Sequence, residues 1–391
     1  MTSWETYRLG DVCSRLRSGK GIPASEVSTC GKFAVVGGNG VRGYTDASNF
    51  NGQCVVVGRQ GAYCGNVRYF DGEFYMTEHA VVIVGNELAD THFLAYLLST
   101  MHLGQLSAQS AQPGLSVQTL SKLEISLPPL EEQRRIAGIL SAIDDKIENN
   151  RRINANLELQ AQALYKQWFV DFEFPHEEGK PYKSSGGKMV DSELGQIPEG
   201  WSVIGYCDAV DIKGGGTPPT NNPEFWNGSI PFFTPKDVPS DCFAIHTEKS
   251  ITEAGLSNCN SKLYAKDTVF ITARGTVGKV VMAGCSMAMN QTNYALIGKN
   301  ELSQYFVYLL TIALVDRLLK KANGAVFNAI TTRDFEGEQI VHPTNFVLGK
   351  FIDIISPLYQ QVLSIAKENE TLATLRDTLL PKLMNGEIKT E

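Results

Sequence analysis

Thirteen polar residues on glycine-bearing or tight turns carry the most suggestive chemistry in this sequence. In the first half they are Lys20 in RSGKGIP, Asn39, Arg42 and Tyr44 in GGNGVRGY, and Arg59 with Gln60 in GRQGAY. In the second half they are Lys213 and Thr217 in DIKGGGTP, Lys236 in TPKD, Arg274 and Lys279 in ARGTVGK, and Gln291 with Asn293 in NQTNY. Arginine, lysine and the amides donate to base edges and phosphates, and glycine lets a backbone approach a ligand closely. Singly, each residue also reads as a solvated loop charge. As two clusters, with Arg59 and Arg274 on equivalent turns, they read as a surface for nucleic acid.

No catalytic set accompanies them. NNPEFW at Asn221 lacks the second proline of an adenine methyltransferase motif and reads as a loop. Gly38 to Gly43 spell G-x-G-x-x-G, but YTDASNF follows where a dinucleotide site needs a helix, so the run reads as a tight turn. GKVVMAG has neither the spacing nor the hydroxyl of a Walker A loop. The histidines His79, His92, His102, His176, His246 and His342 form no metal motif and read as packing residues, and EIK at Glu387 reads as a frayed end. Eight cysteines include no CxxC pair, which predicts reduced thiols and no bound metal. With no signal-like N-terminus and no apolar run near the ~18 to 20 residues of a membrane span, a cytoplasmic chain is expected. A net charge of −7 argues against a simple basic nucleic-acid binder. A polyanion must meet a local basic surface, or another subunit must share its neutralisation.

The elements that position these turns occur twice. WETYRLGDV at Trp4 faces WSVIGYCDAV at Trp201, an offset of 197; GNVRYFDGEFYM at Gly65 faces GKVVMAGCSMAM at Gly278, an offset of 213. The second copy therefore carries about 16 extra residues, expected around TPPTNNPEFWNGSIPFFTPKD. Each copy reads as short strands (KFAVVGG, QCVVVGR, AVVIVG; DTVFITAR, NYALIG), a helix, a loop, a run ending in proline, and a long helix. The fold expected is α+β, two repeated mixed α/β domains separated by two long antiparallel coiled-coil helices. The boundaries expected are a domain over 1–129, a helix over 130–172, a Gly/Pro-rich linker over 173–200, a second domain over 201–343 and a second helix over 344–391.

Both long helices carry a heptad seam. Steps of four and three from Ile136 meet Leu140, Ile143, Ile147, Asn150, Asn154, Leu157, Ala161, Leu164 and Trp168. In the second copy they meet Phe351, Ile355, Leu358, Val362, Ile365, Asn369, Leu372, Arg376, Leu379 and Leu383. A 3.5-residue apolar repeat marks a coiled-coil seam. Two helices of about 60 Å, neither able to bury its seam alone, are expected to pair within the chain as a spacer; packing on their own domains, or dimerisation, would also cover them. Seam asparagines cost stability and fix register.

W..YRLGDV, NGVRGYTD, LPPLEEQRRIAGILSAIDDKIENN from Leu127, DSELGQIPEGW and LRDTLLPKLMNGEI together resemble the specificity subunit of type I restriction–modification systems. The resemblance spans essentially the whole chain. It implies two target-recognition domains, each reading one half of an asymmetric, interrupted site in double-stranded DNA. It implies two methyltransferase subunits docked on the helices, with motor-nuclease subunits joining them. Adenine methylation, and S-adenosylmethionine, then belong to the partner; the chain itself is expected to be non-catalytic and without a cofactor. The second copy has HPTNFVLGKF in place of PPLEEQ, which implies unequal docking surfaces. The alternatives are a solitary methyltransferase or nuclease, a protein-interaction scaffold, and the recognition subunit of another methyltransferase or nuclease assembly.

Overall fold

A computed structural model describes residues 4–107, 114–176, 179–321 and 329–390. The chain divides into two compact units: Met1–Lys146 with Leu372–Glu391, and Ile147–Thr371.

Unit 1 runs β1 (Glu5–Arg8), β2 (Cys13–Ser18), β3 (Phe33–Gly37), β4 (Gly40–Thr45), β5 (Phe50–Gly58), β6 (Val67–Met76), β7 (Ala80–Gly85), α1 (Thr91–Thr100), α2 (Val117–Ser121) and β8 (Glu124–Leu127). Six strands form one sheet in the order β2-β7-β5-β6-β3-β4, and β1 pairs with β8. The unbroken β-branched runs of β5 and β7 are buried on both faces, as such composition favours. Val55, Val57, Val81 and Ile83 pack toward α1, while Cys54, Val56, Val82 and Met76 fill the other side. The sheet is rolled, since the N–H of Lys20, just beyond edge strand β2, donates to Met76 O at the end of β6 across 2.9 Å. The long helix α3 (Leu130–Tyr165) starts in this unit.

Unit 2 contains β9 (Met189–Ser192), β10 (Gly195–Pro198), β11 (Ser202–Gly205), α4 (Tyr206–Ala209), β12 (Val210–Gly214), β13 (Trp226–Phe233), β14 (Phe243–Ala244), β15 (Lys249–Ile251) and α5 (Glu253–Ser257). It continues with β16 (Val269–Thr272), β17 (Val280–Ala283), β18 (Ala288–Met289), β19 (Asn293–Gly298), α6 (Gln304–Lys321), α7 (Thr332–Glu336), β20 (Gln339–His342) and the first part of α8 (Asn345–Met384). The order β2-β7-β5-β6 recurs as β12-β19-β16-β17, and the pair β1–β8 recurs as β11–β20. The parallel pair Val36–Met76 recurs as Phe233–Met289. The offset is 197 at Phe233 and 213 at Met289, so the extra residues lie after Phe233, beyond all but the last four residues of the expected stretch 217–237. There β14, β15 and α5 take the place of the tight β3–β4 hairpin.

The stretch 173–200, expected as a polar linker, is part of the fold. β9 and β10 form a hairpin, Phe174 stacks on Tyr182 at 4.6 Å and on Trp201 at 5.0 Å, and Ile197 is buried. Burial of these scattered anchors outweighs the freedom that glycine and proline suggested. The end read as frayed is also held: Ile388 packs on the unit 1 core, and Glu132 accepts from the Thr390 hydroxyl at 2.7 Å.

α3 has 36 residues and continues through a π turn, Lys166–Val170; α8 has 40. Within unit 1, Asp144 of α3 meets Arg376 of α8 at 2.8 Å. Within unit 2, Asn150 meets Asn369 at 2.9 Å and Asn154 meets the Val362 carbonyl at 3.1 Å. Numbers fall along α8 as they rise along α3, so the paired segments are antiparallel in each unit. On α3, Ile136, Leu140, Ile147, Asn150, Asn154, Ala161 and Trp168 are buried, and Ile143, Leu157 and Leu164 half-buried. On α8, Phe351, Ile355, Val362 and Leu383 are buried, and Leu358, Ile365, Asn369, Leu372, Arg376 and Leu379 half-buried. α8 also buries Tyr359, Leu363 and Ala366, which lie off the heptad. The cause is α6, whose Tyr305 stacks on Tyr359 at 5.1 Å; in unit 2 the seam widens into the stripe of an ordinary core helix.

Candidate nucleic-acid interface

In unit 1 three backbone hydrogen bonds sew the loops at one end of the sheet together. Lys20 N donates to Met76 O (2.9 Å), Thr77 N to Val36 O (2.9 Å) and Arg59 N to His79 O (3.0 Å). Unit 2 repeats them: Gly216 N to Met289 O (3.1 Å), Asn290 N to Phe233 O (3.0 Å) and Ala273 N to Thr292 O (2.8 Å). The repeat is therefore written in loop hydrogen bonds as well as in strand order. Glycine is needed where loops touch backbone to backbone: a Cβ on Gly58 would lie 2.2 Å from Tyr63 O, and one on Gly215 would lie 2.1 Å from Asn290 O.

These stitches bring most of the turn residues in each unit to one rim. In unit 1, Lys20, Asn39 at the β3–β4 tip, Arg42 and Gln60 are exposed and Arg59 is half-buried, while Tyr44, also exposed, pairs with Ala34 and Ser28 at the end of the hairpin away from the tip. In unit 2, Lys236 on the turn Pro235–Asp237, Arg274, Lys279 and Gln291 are exposed. Gly275 sits against that turn, with an added Cβ 3.9 Å from Pro235 Cβ. The Thr217 hydroxyl donates to Gln291 Oε1, joining two neighbouring loops.

Two more of the thirteen are placed otherwise. Asn293 is fully buried; its Nδ2 donates to Asn290 Oδ1 at 2.7 Å, so it braces the loop from inside and reads no ligand. Lys213 turns along β12 to Asp211, 2.9 Å away, and that hydrogen bond holds the Asp211 carboxyl below its usual range. Its charge is spent on a neighbour two residues away on the same strand face. Conversely, Arg68 and Asn66 stand beside Asn39 although NVRYFDG reads in sequence as ordinary strand.

Beside the rim of unit 1, Tyr69, His92 and Tyr96 stack with centroids 3.9 and 5.1 Å apart, and Tyr96 OH donates to Asp144 at 2.6 Å. Burial lowers the His92 pKa despite nearby aspartates, and raises that of Tyr69 to about 12. This stack ties β6 and α1 to α3. Among the described residues no group of three His, Cys, Asp or Glu is placed to hold a metal, and no helix is long and apolar enough to cross a membrane.

Each unit thus carries a loop-lined rim built on one repeated plan and a share of the paired helices. The sequence matches the family described as "Type I restriction modification DNA specificity domain" over residues 1–159 and 198–373, and the chain belongs to that family. It is similar to the type I restriction enzyme MjaIX specificity subunit of Methanocaldococcus jannaschii, 30% identical over 309 residues, covering 77% of this chain and 70% of that protein. It is also similar to the type I restriction enzyme HindI specificity subunit of Haemophilus influenzae, 26% identical over 388 residues, covering 83% and 84%. The type I restriction-modification S subunit of M. genitalium has the same fold, with a TM-score of 0.62 at 18% identity over 98% and 96% of the two chains. A specificity subunit is a non-catalytic role, and the chain falls in that class rather than among enzymes.

Proposed function

We propose that the two units each read one half of an asymmetric, interrupted site in double-stranded DNA. In this reading the paired helices α3 and α8 set the spacing between the halves and dock two methyltransferase subunits. Motor-nuclease subunits complete the assembly, and the methyl donor, S-adenosylmethionine, is held by the partner. The observation that carries the reading is the shared set of loop stitches with unlike residues on it. Lys20 in unit 1 stands where unit 2 has Gly216, and the tight tip bearing Asn39 is replaced by the longer loop bearing Lys236. The same frame carrying different donors suits two different half-sites.

The halves separate the test. Arg42→Ala should relax sequence preference in one half-site and Lys236→Ala in the other, read from the adenine-methylation motif made by the complex with its methyltransferase partner. Equal loss at both halves from either substitution would contradict the reading. The acidic net charge supports sharing of phosphate neutralisation with partners. The salt slope, about 0.9 per phosphate contacted, should accordingly be smaller for the isolated chain than for the complex.

A further inference from the structure

A groove of about 680 Å³ opens beside the β3–β4 tip of unit 1, bounded by the turns Gly61–Tyr63 and Leu103–Leu106. Asn39, Tyr63, Asn66, Arg68 and Gln105 line it. Gly37 and Gly40 face each other across the hairpin. A Cβ on Gly40 would lie 3.4 Å from Arg68 Nη1, and one on Gly37 would lie 3.5 Å from Arg42 Cδ. Directly opposed residues of an antiparallel pair point to one face, so both arginine side chains lie over the same glycine pair. The glycine pair leaves room for both side chains to lie against the hairpin.

Neither arginine has a carboxylate within ion-pair distance among the described residues, although the chain carries 42 acidic residues. Exposed cations without an ion-pair partner add little to folding through their charge. They suit a ligand that presents paired acceptors. A guanidinium fork matches either a phosphate or the O6 and N7 of guanine. The groove itself is lined by amides and an exposed tyrosine, with no lysine and no arginine but Arg68 among its lining residues, which favours a base edge over the DNA backbone.

We propose that Arg68 is a specificity-determining residue of unit 1 that reads a guanine in its half-site, with Arg42 beside it. The inference rests on the DNA-reading role proposed above. Unit 2 has no equivalent: the register of Met76 with Met289 places Val281, buried in β17, at the position of Arg68. The effect is therefore confined to one half-site.

The test is the methylation motif made in cells by the complete chain with its methyltransferase partner, for wild type, Arg68→Ala and Arg68→Lys. Arg68→Ala should make one G·C position of one half-site degenerate, with discrimination there falling about 5- to 150-fold. The other half-site and the gap should not change. Arg68→Lys should not restore the position, because lysine lacks the fork. The melting temperature should stay at the wild-type value, since the side chain is exposed. A uniform loss of methylation at every position, with a shallower salt dependence of binding, would make Arg68 a phosphate contact and overturn the proposal. A motif unchanged by Arg68→Ala also overturns it, and leaves the DNA-reading role standing. A wild-type complex that makes no two-part motif sinks both.

Discussion

Gln133 shows how one residue of LPPLEEQ couples α3 to the domain it leaves. Its side chain is 1% exposed and makes three hydrogen bonds to backbone. Oε1 accepts from Asp90 N at 2.9 Å, and Nε2 donates to Leu88 O at 2.9 Å and Pro128 O at 2.8 Å. Asp90 in turn caps α1 by accepting from Phe93 N at 2.9 Å, so one amide ties the starts of both helices together. Gln133→Leu keeps the volume and removes all three bonds. Each neutral bond contributes about 1 kcal/mol, and a buried group left unpaired costs about 1 to 3 kcal/mol. Leu88 O can turn toward water, since its residue is exposed; the other two groups cannot. The expected loss is about 3 kcal/mol. For a unit of this size about 2 to 4 °C is lost per kcal/mol, so the melting transition of unit 1 should fall by about 6 to 12 °C. Scanning calorimetry gives the shift, and hydrogen exchange should show deprotection concentrated in 88–100 and 128–140. Gln133→Glu should fare no better at neutral pH, because it buries a carboxylate against two carbonyls. A shift below about 2 °C with unchanged exchange would refute the clip; the scale is set by the same slope.

The two seam asparagines should differ in their contribution to stability. Asn154 Oδ1 is buried without a partner, whereas Asn150 donates to Glu368 and Asn369, at 2.8 and 2.9 Å. Asn154→Leu relieves that oxygen but also removes the donations to Val362 O and Asp241, so it should shift the melting temperature by less than about 2 °C, whereas Asn150→Leu should lower it by about 2 to 4 °C, the equivalent of about 1 kcal/mol; the reverse order would place the register function on Asn154. Burial raises the Asp241 pKa, outweighing the hydrogen bonds from Phe243 N–H and Asn154. A carboxyl with a raised folded pKa adds stability below its unfolded pKa and loses it as pH rises through the folded value. Asp241→Asn, which keeps the acceptor for Phe243 N, should thus be more stable than wild type at neutral pH, with the difference vanishing below about pH 4. A difference that shrinks as pH rises would contradict the assignment.

Periodicity carried far in this sequence because strand and helix periods are local. β5, β7 and the heptad through Ile136, Leu140 and Ile147 read directly from apolar spacing, and the repeat offsets recur in strand register. What could not be read depends on contacts distant in sequence. Asn293 and Gln291 share one turn, and only the packing against Phe233 O and Asn290 decides which amide turns inward. Arg68 gains its setting from the rolled sheet and from Gly40, which lies far from it in sequence. Tyr359 is buried because α6 packs there, which no heptad count on α8 reveals. The pairing of Lys213 with Asp211, by contrast, was legible: residues two apart on a strand share a face.

The most direct test of the account is single-molecule sequencing of DNA from cells expressing this chain with its candidate methyltransferase partner. The account predicts an adenine-methylated motif of two dissimilar halves separated by a fixed gap, present only when this chain is expressed. A verified complex that leaves the DNA unmodified, or modifies a continuous symmetric motif, would contradict it.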